Sequence, residues 1–67
     1  MTEEEALDAI KSIATGSDML SNAMRGLGRV EFKINLNKGK TVEESLRIAT
    51  KLIGEELDKI TKEVLNK

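Results

Sequence analysis

Gly39-Lys40-Thr41 carries the most recognisable chemistry in the chain, because Gly-Lys-Thr closes the loop that cradles nucleotide phosphates. That loop also needs a glycine five residues earlier, and this position is Ile34. What survives is a smaller capacity: the free amides of a helix N-terminus, helped by Lys40, attract an anion. Gly26-Leu27-Gly28 begins like a dinucleotide fingerprint, but those glycines must follow a strand, and here they precede strand-like sequence. They read instead as a hinge or helix stop. Glu55, Glu56 and Asp58 offer oxygens to a hard cation, yet they are interleaved with lysines, as on a solvated helix face. With no histidine, cysteine or tyrosine, acid–base work would fall to carboxylates or lysines, and Ser12, Ser17, Ser21 and Ser45 have no evident base. The expectation is no enzyme, no cofactor and no metal site.

The elements that would position such groups form one small domain, residues 1–67. Roughly twenty apolar side chains could face inward at about 1.5–3 kcal/mol each. Ordering costs about 1.5 kcal/mol per residue, so a lone copy balances near zero. Disulfides are excluded by composition and zinc is disfavoured, which leaves oligomerisation. Absence of cysteine fits a reducing cytoplasm. The acidic start Met1-Thr2-Glu3-Glu4-Glu5 argues against a secretory signal, and no apolar run approaches bilayer length. We expect a soluble cytoplasmic protein with no membrane partner. Net charge is −1 but unevenly placed: residues 29–40 carry four basic groups against one acidic.

Thr2 and Glu5 form a capping box, so a first helix should begin at Glu3, with Leu7, Ile10, Ile13 and Ala14 on one face. Gly16 reads as a stop and Ser17 or Asp18 as a new cap. A short second helix would turn Leu20, Ala23, Met24 and Leu27 inward, with Met19 and Met24 filling core gaps and Gly26 as a left-handed cap. Asn37-Lys38-Gly39-Lys40 reads as a turn, and Thr41 with Glu44 repeats the capping box. The last helix runs from Val42 to about Leu65 on the stripe Val42, Leu46, Ala49, Ile53, Leu57, Ile60 and Val64. Glu43–Arg47, Glu55–Lys59 and Asp58–Lys62 are spaced as i,i+4 ion pairs.

Between these helices, Arg29-Val30-Glu31-Phe32-Lys33-Ile34-Asn35-Leu36 alternates polar and apolar residues without a fault, the pattern of a half-buried strand. A lone strand leaves its backbone unpaired, so the expected fold is α/β and mostly helical: helix, short helix, strand, long helix. The strand would pair antiparallel with a second copy, burying Val30, Phe32, Ile34 and Leu36. Cross-strand charge favours a two-fold centred on Phe32, which sets Glu31 against Lys33 twice. The opposite face would show Arg29, Glu31, Lys33 and Asn35, with Lys38 and Lys40 nearby as further nucleic-acid contacts.

Over residues 29–67 at most, this resembles the ribbon of the ribbon-helix-helix repressors. The resemblance implies that Glu31, Lys33 and Asn35 read bases and that the helix start at Val42 meets phosphate. It also requires a helix break at Gly54, where the apolar stripe runs on and no capping residue follows. The other reading, favoured by low net charge and the absence of site chemistry, is a homodimeric interaction, assembly or regulatory module with a protein partner.

Overall fold

The computed structural model describes residues 1–13 and 18–66, and its elements are three helices: α1 (Glu3–Ile13), α2 (Met19–Asn37) and α3 (Val42–Leu65). The α1 start is the expected capping box: Thr2 N–H donates to Glu5 Oε1 at 2.9 Å and Glu5 N–H donates to Thr2 Oγ1 at 3.1 Å. Asp18 caps α2 by accepting from Ser21 N–H at 2.7 Å. Thr41 caps α3 by accepting from Glu44 N–H at 3.1 Å. Ala14 and the stop at Gly16 lie outside the described residues.

The α2–α3 turn is built by glycine chemistry. Gly39 has φ 93°, a left-handed conformation that only glycine adopts freely. Lys38 N–H donates to Ile34 O, Gly39 N–H to Leu36 O and Lys40 N–H to Asn35 O, which satisfies the last carbonyls of α2. So short a link makes the two helices an antiparallel hairpin. Lys33 binds Glu3 at 2.7 Å, and the N-terminal ammonium reaches Glu43 at 3.4 Å. Ile10 lies against Gly28. Together these contacts run α1 antiparallel to α2 and parallel to α3.

The core between them is Ala6, Ile10, Met24, Phe32, Ala49 and Ile53, with Leu7, Leu27, Leu36, Val42, Leu46, Leu57 and Ile60 packed around it. Gly28 sits where side chains of α1 and α3 both press on α2. A Cβ there would stand 2.5 Å from Ile53 Cδ1 and 2.9 Å from Ile10 Cγ2.

The α/β expectation is overturned. Residues 29–36 are helical, no strand exists among the described residues, and the class is a three-helix bundle. The intermolecular β-ribbon goes with it, as does the fold implied by the repressor resemblance, since α3 runs unbroken through Gly54. The physical reason is local. A helix satisfies its own backbone, whereas the strand needed a second molecule. The helical stripe was also masked: Met24, Gly28, Phe32 and Leu36 recur every four residues, but Gly28 does not register as apolar in a sequence pattern. Gly26, expected to stop a helix, lies inside α2 without a positive φ.

Candidate functional site on the outer face of the second helix

Folding residues 29–36 as a helix splits the apolar alternation in two. Phe32 is fully buried and Leu36 half-buried, whereas Val30 and Ile34 are 57% and 42% exposed. At about 100° per residue, positions two apart point in nearly opposite directions, and positions four apart point the same way. Phe32 and Leu36 therefore join the core, and Val30 and Ile34 point away from it.

They are not isolated. Met19 is 86% exposed, Ala23 is exposed, Gly26 and Leu27 are half-buried, and all four fall with Val30 and Ile34 inside a sector about 100° wide. This sector lies opposite the line through Met24, Gly28 and Phe32. Leu20 borders it at 43% exposure. Helix α2 thus carries two apolar stripes, one in the core and an outer one that the bundle covers only at its Leu27 edge. Counting outward from the turn, Met19 is level with Ile60, so the exposed Val64 and Leu65 extend α3 beyond the start of the outer stripe. Sequence reasoning assigned Leu20, Ala23 and Leu27 to the core, with Met19 filling a gap in it; Leu27 does pack against the core, whereas Met19, Leu20 and Ala23 are exposed. The usable signal was the recurrence of Leu20, Ala23 and Leu27 every three to four residues with Met19, Val30 and Ile34, out of phase with Met24 and Phe32.

The residues expected to meet nucleic acid do not share a face. Arg29 and Lys33 lie along one flank of the outer stripe, and Lys33 is held by Glu3. Glu31 and Asn35 lie toward the other side. Asn35 is buried and donates Nδ2–H to Glu31 O at 2.8 Å and to Glu31 Oε1 at 3.2 Å. Lys38 is the exposed C-cap of α2, and Lys40 lies 3.8 Å from Glu44. The anion site imagined at the start of α3 is filled from within: Glu43 and Glu44 occupy the first turn, and a hydrogen bond from its own backbone N–H, followed by the hydrogen bond and charge of the N-terminal ammonium, keeps the Glu43 carboxyl below its ordinary range. Of the three expected ion pairs only Asp58–Lys62 forms, at 3.2 Å, while Arg47 and Lys59 turn to Glu44 and Glu56 at 3.9 Å.

A groove of ≈ 390 Å³ opens beside the end of α1, lined by Lys11, Asn22, Arg25 and Arg29. It is cationic, adjoins the basic flank of the outer stripe, and would favour acidic groups at that rim. Among the described residues no three His, Cys, Asp or Glu side chains converge as a metal site would need. No helix among those residues is long and apolar enough to cross a membrane.

Comparison of the chain with protein-family models, curated proteins and solved structures gives no match. The surface itself is therefore the functional evidence.

Proposed function

We propose that the protein is a non-enzymatic interaction module that docks a helix on the outer face of α2. One observation carries this reading: α2 has a second apolar stripe, at Met19, Ala23, Val30 and Ile34, that the core does not use. Each large side chain on it gains about 1–2 kcal/mol when covered. A helix laid along such a stripe engages it at i, i+4 and i+7 anchors, the ordinary mode of helix docking. The dispersed serines and mixed charges offer nothing comparable for catalysis, and the cysteine-free composition leads us to place its work in the cytoplasm.

The test is site-specific photo-crosslinking in the native host. A photoreactive residue at Val30 or Ile34 should give a discrete adduct, and one at the exposed Lys51 on the far side of α3 should give none. The Val30 adduct should vanish when Ile34→Glu is added, with helicity unchanged by circular dichroism. Equal labelling from Lys51, or no adduct from Val30 and Ile34, would overturn the proposal.

A further inference from the structure

We infer that the occupant of this face is a second copy of the chain, packed antiparallel through α2; the inference rests on the docking reading above. The stripe is a palindrome about the point between Gly26 and Leu27. Met19 and Ile34 stand equally far from that point, as do Ala23 and Val30, and Gly26 and Leu27. A two-fold axis there sets Met19 against the second copy's Ile34, Ala23 against its Val30, and Gly26 against its Leu27. This is the self-complementarity that an isologous interface requires.

Sizes also match. In the two central pairs a small residue faces a branched one, so the side chains interdigitate instead of colliding. Gly26 supports this independently. A Cβ at Gly26 would meet nothing within 4 Å, so nothing in a single copy calls for a glycine there, and glycine weakens a helix. Against a second α2 the missing Cβ is a hollow that admits the part of Leu27 its own core leaves exposed and lets the axes approach closely. Contributing roughly 400 Å² of apolar surface per copy, the pair with its polar rim clears about 1,000 Å², the lower bound of a specific interface. In this register each flank meets its own symmetry mate, so the Arg29 and Lys33 rims repel mildly and added salt should tighten the pair.

The chain has no cysteine, so single cysteines report the register without background. Gly26→Cys should form a disulfide-linked pair. Met19→Cys should not link to itself, because antiparallel packing holds the two positions about 22 Å apart along the helix. An equimolar mixture of Met19→Cys and Ile34→Cys should link across. Sedimentation equilibrium of the unmodified chain should show twice the single-chain mass at high micromolar concentration. Gly26→Leu should weaken association at least tenfold with unchanged helicity. Self-linking of Met19→Cys would overturn the antiparallel register. A single-chain mass at every concentration would overturn self-pairing. If a Val30 photo-adduct then joined a different polypeptide, the docking reading would stand alone; without any adduct both would fall.

Discussion

Among the described residues three glycines lie inside helices, and replacing each by alanine should move stability in directions that the packing decides. Alanine gains about 1 kcal/mol over glycine in a helix interior. At Gly54 a Cβ meets nothing within 4 Å, so Gly54→Ala should raise Tm by about 4–8 °C for a domain of this size. Gly26→Ala should do the same in dilute solution, for the same reason. Gly28→Ala meets Ile53 Cδ1 at 2.5 Å, Ile10 Cγ2 at 2.9 Å and Ile53 Cγ1 at 3.3 Å. Both isoleucines are fully buried, one on α1 and one on α3, so relief of one contact pushes into the other. Overpacking of this kind costs about 1–3 kcal/mol, whose midpoint exceeds the helical gain by about 1 kcal/mol, and Tm should fall by about 5 °C. Adding Ile53→Val removes the Cδ1 methyl and should recover much of that loss, a coupling that independent sites would not show. Thermal unfolding followed by circular dichroism at low micromolar concentration measures all four variants. A Gly28→Ala variant that melts as high as Gly54→Ala would refute the close three-helix contact on which the bundle is argued.

Phe32→Ala should cost about 3–5 kcal/mol in urea denaturation, while Ile34→Ala in dilute protein should cost under about 1 kcal/mol; equal losses would restore a single shared apolar face. Ser45 is fully buried and its Oγ has no hydrogen-bond partner, so Ser45→Ala should stabilise by about 1–2 kcal/mol, and a loss of stability would show that the hydroxyl is satisfied. The Thr2 hydrogen bonds hold the Glu5 carboxyl below its ordinary value of 4.5, so this carboxylate supports folding above pH 4.5 and that support is lost as pH falls through the lowered value. Glu5→Gln should therefore make the urea midpoint less sensitive to acid between pH 7 and about pH 3, and an unchanged sensitivity would sink the linkage.

What the sequence made legible were features encoded by neighbouring residues. Thr2 with Glu5 and Thr41 with Glu44 each specify a helix start through contacts three residues apart, and both form. The long apolar stripe from Val42 onward identifies α3 because it repeats over many turns. The α2 cap was legible as Ser17 or Asp18, and Asp18 forms it through a contact three residues away. What was not legible depended on a distant partner. Gly28 belongs to the core only because Ile10 and Ile53 arrive from other helices, and a side chain of zero size leaves no hydrophobic trace. The candidate nucleic-acid residues were grouped by a strand's geometry, and once the chain coils they separate onto different sides of α2.

Alternation itself is the more general lesson. Apolar residues at i, i+2, i+4 and i+6 put one stripe on one side of a strand, but in a helix they form two i,i+4 pairs about 200° apart. A segment of that kind has two ways to bury all four side chains: as an edge that recruits another strand, or as a helix that is covered on both sides. Both demand a second surface. The intramolecular core of this chain covers Phe32 and Leu36 and leaves Val30 and Ile34 exposed, and that exposure is the observation on which the proposed docking face rests. A partner of the proposed kind presents a helix-binding face instead of a strand edge, and the outer stripe of α2, read in reverse, is a face of that description.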